Sequence, residues 1–254
     1  MKAMVLAAGL GTRLRPLTDS RPKALVEIAG RTLLEITLSR LREFGVREVI
    51  VNAHHFTAMI VDYLKANDNF GLRIEVSREE ILLDTGGGLK KAAHFLREDR
   101  GVLDEPFILH NVDVISAIDL RRMLQFHVEN KAMATLAVQQ RHSSRYLLFD
   151  QHGQLCGRRL MSSAKAGNPP QDEIVRSSSP LSTLAFSGIH VISPRIFALM
   201  PEENVFSIID CYLQLAARGE RILAFRADEY YWRDLGTPEN LREAEKDFAR
   251  GALQ

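Results

Sequence analysis

Only two cysteines, Cys156 and Cys211, occur in the chain, and they stand far apart. Neither the dense pairing of a small secreted scaffold nor the close spacing of a zinc site is present, which fits a reducing, cytoplasmic setting and two ordinary thiols. Long apolar runs are missing too. Nothing approaches the ~20 apolar residues of a membrane span, and the opening Met1-Lys2-Ala3-Met4-Val5-Leu6-Ala7-Ala8 is too short for a signal peptide before it meets glycine. There is no excess of charge of one sign, with 33 Lys and Arg against 32 Asp and Glu. No broad basic field exists to draw in nucleic acid or an anionic membrane, so an anionic ligand has to be held by a local arrangement. The expected partners are therefore small molecules, with the oligomeric state left open.

What is present is 254 residues with 46% hydrophobic side chains, enough for one sizeable core. Short apolar runs at 4–7, 48–52, 72–77 and 107–109 alternate with helical periodicity at 32–44, 57–66 and 88–95. That alternation predicts an α/β fold, a parallel sheet covered by helices. Further on, 132–139, 147–150 and 155–158 predict neighbouring strands, with a turn at Gln151-His152-Gly153. Residues 162–182, rich in Ser, Pro and charge, read as a mobile loop or flap, or equally as plain exposed linker. A strand at 184–192, helices near 194–199 and 207–217, a strand at 222–225 and a helix at 238–248 complete the chain. We expect one domain over 1–254, with 1–112 forming a doubly wound nucleotide-binding half.

The first chemical motif follows the first strand: Ala8-Gly9-Leu10-Gly11-Thr12-Arg13-Leu14-Arg15-Pro16-Leu17-Thr18, then Pro22-Lys23. Glycines after a strand let consecutive N–H groups gather into an anion-binding concavity. Arg13 adds a fork of donors and Lys23 a compact charge, while the prolines stiffen the loop. A dinucleotide fingerprint would need glycine where Leu14 stands, and a Walker loop would need Gly-Lys-Ser/Thr; both are absent. The loop reads as a triphosphate grip.

Leu6 to Thr18 followed by Pro22-Lys23 resembles the signature of the sugar-1-phosphate nucleotidyltransferase family, and the resemblance extends over essentially the whole chain. It implies a GT-A-like, Rossmann-related fold with a mixed, mostly parallel central sheet flanked by helices. It also implies a Mg²⁺ requirement and the conversion of an NTP and a sugar 1-phosphate to an NDP-sugar and pyrophosphate. In such an enzyme Ala7, Ala8, Gly9, Gly11, Thr12, Arg13 and Lys23 would bind the nucleotide, with Arg13 and Lys23 acting on the phosphates. Residues 113–254 would form the sugar-binding half. The absence of any segment beyond 248 that could form a second domain suggests a single-function enzyme.

A second glycine cluster, Thr85-Gly86-Gly87-Gly88, stands between a strand and a helix. Taken alone it could be a flexible turn, or a flat backbone surface on which a base lies. In the family a Thr-Gly-Gly segment contacts the base, which assigns Thr85, Gly86 and Gly87 to nucleotide binding. The triple-glycine form resembles the branch that uses UTP, including muramic acid 1-phosphate uridylyltransferases; related guanylyltransferases carry alanine here.

Asp113 lies just beyond a buried strand, where open α/β sheets place their ligands, and Asp234 lies just before a helix. Each alone could be a loop or capping aspartate. Together they match the family's metal-binding pair, and Mg²⁺ needs only one or two carboxylates beside phosphate oxygens and water. Val112 stands where the family has glycine, which puts the backbone beside Asn111 in question. Val114 and Ile115 follow Asp113, so the Asp-x-Asp of NDP-sugar-using glycosyltransferases is absent.

Asn111, Gly188 and Asp210 are the sugar-pocket candidates, although Gly188 reads equally as a β-bulge and Asp210 as a surface helix acid. The favoured substrates are UTP and N-acetylmuramic acid 1-phosphate, with mannose or glucose 1-phosphate open. The alternatives are a mannose-1-phosphate guanylyltransferase and a catalytically silent nucleotide-sugar sensor.

Overall fold

The computed structural model describes residues 1–97, 105–161 and 170–251. In the first part of the chain β1 (Lys2–Leu6) is followed by the small ladder β2 (Glu27–Ile28) and β3 (Arg31–Thr32), then α1 (Leu33–Glu43), β4 (Glu48–Ala53), α2 (Thr57–Ala66) and β5 (Arg73–Arg78). Helices α3 (Asp84–Lys91) and α4 (Ala93–Leu96) lead to β6 (Phe107–Asn111), β7 (Val114–Ser116) and α5 (Leu120–Glu129). The remainder holds β8 (Ala134–Gln139), β9 (Arg145–Phe149), β10 (Leu155–Leu160), β11 (Gln171–Ile174), β12 (Ser182–Ile192), α6 (Ile208–Ala217), β13 (Ile222–Arg226), β14 (Trp232–Asp234) and α7 (Pro238–Ala249).

One mixed sheet runs through both halves in the order β11-β10-β9-β12-β6-β1-β4-β5, with β8 and β13 joined to it through β12. The strands β6, β1, β4 and β5 are parallel, in the register Met4 opposite Ile50 and Leu109. The inner strands β6, β1 and β4 are largely apolar and buried because helices cover both faces, whereas the edge strand β5 is mixed and partly exposed. Ala3, Val5, Val49, Val51 and Ile108 face a core built with Leu34, Leu38, Leu64, Met123 and Leu241 of α1, α2, α5 and α7. Met4, Ile50 and Leu109 face the other core, with Leu89, Phe95, Tyr212 and Leu215 of α3, α4 and α6.

Local chemistry sets the helix starts. Thr32 accepts the N–H of Glu35 at 3.0 Å in a Thr-x-x-Glu arrangement that opens α1. Ser207 caps α6, and Thr237 with Pro238 opens α7. Both cysteines are buried and unbridged, and burial pushes the Cys211 thiol up to about 11, so neither is poised for chemistry.

Three differences from the sequence expectations matter. Helix α5 stands where no element was expected, although Leu120, Met123 and His127 are buried at helical spacing, Leu124 and Phe126 pack beside them, and Asp119 caps the start. Of the expected loop at 162–182, residues 162–169 lie outside the described residues, and 171–174 form the edge strand β11 instead. All four β11 residues are exposed, Asp172 and Glu173 pair with Arg159 and Arg158, and Ile174 is the one apolar residue of the strand, so the segment shows no apolar alternation. The helix expected at 88–95 begins at Asp84, which places the three glycines inside its first turns.

Candidate active site

A pocket of ≈ 450 Å³ opens at the carboxyl ends of β1, β4 and β6, and its lining includes Ala7, Ala8, Gly9, Lys23, Thr85, Asn111 and Asp113. This is the end of an open α/β sheet where ligands bind. Gly9 is exposed, and a Cβ placed on it would meet nothing within 4 Å, so its backbone is open to close approach. Gly11 is different: its φ is +65°, and a Cβ would lie 2.9 Å from Thr18 Cγ2. The Thr18 hydroxyl donates to the Gly11 carbonyl at 2.9 Å, and Leu14, fully buried, pins the short 3-10 turn Thr12–Leu14 to the core. The loop is held from beneath while Thr12 and Arg13 remain exposed.

The four expected charged groups fall into two pairs on joined segments. Lys23 is largely buried, and its ammonium donates to Asp113 Oδ2. Strand β14 pairs with β7, setting Asp234 opposite Val114, and the Leu235 N–H donates to the Asp113 carbonyl at 2.7 Å. A Cβ on Gly236 would lie 2.5 Å from Arg13 Nη2 and 2.7 Å from Asp234 Oδ1, so guanidinium and carboxylate flank that glycine closely. Asp234 Oδ1 accepts the Gly236 N–H at 2.7 Å. Asp113 and Asp234 thus each commit one oxygen to the protein and retain one. Two hard oxygen donors suit Mg²⁺, which completes its shell with phosphate and water. Among the described residues no group of three or more His, Cys, Asp or Glu forms a metal cluster.

Gly188 lies in a register shift of β12 between Phe186 and His190, with φ +74°. It is a bulge glycine and also a site of close approach, since a Cβ would lie 3.0 Å from Asn111 Nδ2. Val112 is absent from the positive-φ residues and is buried, so the backbone beside Asn111 needs no glycine. Asp210 is not brought to the pocket. It pairs with Arg158 Nη1 at 2.5 Å on a half-exposed helix face, the surface-acid role that sequence reading left as its alternative.

Gly86 and Gly87 also need correction, because they do not offer a flat face to the pocket. Their N–H groups donate to the Phe206 carbonyl at 2.9 and 3.2 Å. A Cβ on Gly86 would lie 2.3 Å from the Phe206 ring, and one on Gly87 2.0 Å from Asn204 O. The glycines let α3 dock on 204–206, so their identity carries no information about the base. Thr85 does line the pocket, while its hydroxyl accepts the Ile208 N–H at 3.0 Å.

Sequence reading missed the pocket floor. Asn52, at the end of β4, accepts the Ala7 N–H at 2.7 Å and donates to Glu79 Oε1 at 2.7 Å; Glu79 Oε2 accepts from Leu83 N. A polar residue closing the apolar run 48–53 was the only signal. Replacing Asn52 by alanine strands the Ala7 N–H and removes a donor from a buried carboxylate, an expected loss of about 2 kcal/mol in urea unfolding. A loss under about 0.5 kcal/mol would show the network to be dispensable. Beyond Gly188, Trp232 Nε1 donates to Ser187 O at 2.7 Å, and the Arg141 guanidinium lies 3.5 Å from the Trp232 ring centroid.

The sequence model described as Nucleotidyl transferase matches residues 2–251. N-acetylmuramate alpha-1-phosphate uridylyltransferase of Caulobacter vibrioides is 34% identical, over 97% of this chain and 96% of that protein. Mannose-1-phosphate guanylyltransferase of Mycobacterium tuberculosis is 31% identical, over 98% of this chain but only 65% of its own length. Among solved structures, HddC from Yersinia pseudotuberculosis complexed with GMP-PN shares the fold with a TM-score of 0.74 and 21% identity, covering 97% of this chain and 99% of that one. With a glycine-bearing loop, Asp113 and Asp234 on segments joined by the main chain, and near end-to-end similarity in agreement, the chain belongs to the nucleotidyl transferase family.

Proposed function

We propose that this protein transfers a nucleoside monophosphate from an NTP to a sugar 1-phosphate, releasing pyrophosphate. The observation that carries the reading is that the Lys23–Asp113 pair in the pocket wall is joined through Leu235 N–H to the segment where Asp234 and Arg13 flank Gly236, because this links a phosphate grip to a pair of hard oxygen donors. A phosphate monoester has a second pKa near ~6, so the attacking oxygen is ionised at neutral pH and no general base is required. The chain's task is positioning and charge stabilisation.

The sugar phosphate oxygen forms a bond to the α-phosphorus as the bond to the β-phosphate bridging oxygen breaks, and pyrophosphate leaves with that electron pair. Gly9 and Gly11 turn backbone N–H groups to the phosphates, and Arg13 meets the β/γ end. Lys23 serves the α-phosphate or the incoming phosphate, moving between it and Asp113. Mg²⁺, held by Asp113 and Asp234, would neutralise phosphate charge. Thr85 and the 82–85 wall face the base, and Asn111 with Gly188 borders the sugar. As an enzyme of intracellular NTP, it would act in the cytoplasm.

UTP and N-acetylmuramic acid 1-phosphate are the favoured pair, supported by the Caulobacter relative matched along nearly its whole length. GTP with mannose 1-phosphate is the second reading, supported by the mycobacterial relative. Pyrophosphate release measured for four NTPs against muramic, mannose and glucose 1-phosphates separates them. The highest kcat/KM is expected for UTP with the muramic ester. Release with no pairing at all would sink the enzyme in favour of a nucleotide-sugar sensor.

A further inference from the structure

Behind the segment that carries Asn111 and Asp113 lies a second cavity of ≈ 100 Å³ between β6, β7, α1 and α7, lined in part by Arg40, His110 and Ser116. Among the described residues, five buried side-chain polar atoms lack a hydrogen-bond partner, and three of them belong to this lining: Arg40 Nε, His110 Nε2 and Ser116 Oγ. Leaving one such atom unpaired costs about 1–3 kcal/mol, so three around one void indicate a polar occupant.

The three atoms are not equivalent. Arg40 Nη2 donates to the Ile118 carbonyl at 2.6 Å, which leaves Nε–H as a fixed donor. No carboxylate stands within ion-pair distance of Arg40 among the described residues; Glu43 and Asp119 act on it only through space. A half-buried cation whose Nε is sealed from solvent without a direct counterion favours an anion beside it. His110 Nδ1 lies 2.8 Å from the Asn111 carbonyl, to which it must donate, so the neutral ring presents a lone pair at Nε2. Burial pushes the imidazole down to about 4, which keeps it neutral near pH 7. Ser116 can donate or accept. At the mouth, Arg31 is engaged by Glu35 at 2.7 Å, and the exposed Glu43 is screened by water.

One charged donor, one obligate acceptor and one hydroxyl match a small tetrahedral oxyanion that still carries a proton. Its bare oxygens take Arg40 and Ser116, and its own O–H donates to His110. Sulfate, lacking that proton at neutral pH, would set a lone pair against a lone pair. The volume excludes a nucleotide or a sugar phosphate. We propose that this cavity is a second anion site, distinct from the triphosphate loop, that takes inorganic phosphate. Bound there, phosphate would brace His110 and hence the turn that presents Asn111 and Asp113.

Calorimetric titration with inorganic phosphate tests this without reference to catalysis. The unaltered protein and Arg13→Ala should bind phosphate alike, whereas Arg40→Gln and Ser116→Ala should weaken binding at least tenfold. Ser116→Ala guards against a folding defect from loss of the arginine, and sulfate should bind the unaltered protein at least tenfold more weakly than phosphate. Three results would each overturn the proposal: binding lost in Arg13→Ala but kept in both cavity variants, sulfate bound as tightly as phosphate, or no phosphate binding at millimolar concentration, which would assign the cavity to ordered water.

Discussion

Replacing Asp113 by asparagine is expected to lower kcat/KM for NDP-sugar formation by at least about a thousandfold, which is about 4 kcal/mol of transition-state stabilisation. An amide oxygen is a neutral and weaker ligand for Mg²⁺ than a carboxylate, and only Asp234 would remain. The Lys23 ammonium would also lose its counter-charge and shift its position against the phosphates. The fold should survive, because the contact that holds β14 in place runs from Leu235 N–H to the main-chain carbonyl of residue 113, which asparagine retains. Lys23 can still donate to the amide oxygen. Pyrophosphate release followed across a Mg²⁺ titration is the measurement, with thermal unfolding as the control. Turnover within tenfold of the unaltered protein would remove Asp113 from the metal site.

The second large effect is on stability. Alanine at position 87 would put its Cβ 2.0 Å from the Asn204 carbonyl oxygen and 3.0 Å from Leu83 Cβ. Neither neighbour is a flexible side-chain end that could swing away, so α3 must separate from 204–206 and the two N–H bonds to the Phe206 carbonyl must lengthen. Overpacking of this kind costs typically 1–3 kcal/mol, and the backbone clash puts Gly87→Ala at about 3 kcal/mol or more. For a chain of this size that corresponds to a fall in Tm of about 6–12 °C. Thr85 should be displaced with the helix, so the KM for NTP should rise in the same variant. A Tm within about 2 °C of the unaltered protein would show that 204–206 yields easily.

These two positions illustrate what sequence can and cannot carry. The strands β1, β4 and β6 were legible because burial on both faces demands largely apolar runs, and the starts of α1, α6 and α7 because Thr32, Ser207 and Thr237 supply short polar caps there. The turn within the loop from Gly9 to Lys23 was legible because the positive φ at Gly11 restricts the residue type. Asp113 stood out by its place beyond a buried strand and Asp234 by its place before a helix, but only the family's pattern paired them as proposed metal ligands, since nothing near either in sequence tells that a ladder between β7 and β14 brings their segments together.

Elsewhere the deciding partner lay far along the chain. Gly86 and Gly87 are explained by Phe206 and Asn204, Asp210 by Arg158, and Asn52 by Glu79. The local composition at each position was compatible with several roles. Helix α5 is a different case, since Leu120, Met123, Leu124 and His127 recur at helical spacing behind the capping Asp119, so its signal was present in the sequence and was passed over.

The β7–β14 ladder also sets an order in time. Chains emerge from the ribosome N-terminus first, and domains begin to fold as they appear. The glycine loop, Lys23 and Asp113 are synthesised long before Trp232–Asp234, the short strand that delivers the second carboxylate. The carboxylate of Asp234 therefore arrives together with Leu235, Leu241 and Ala244, the last side chains of the main core, so the proposed metal pair can form only as that core closes.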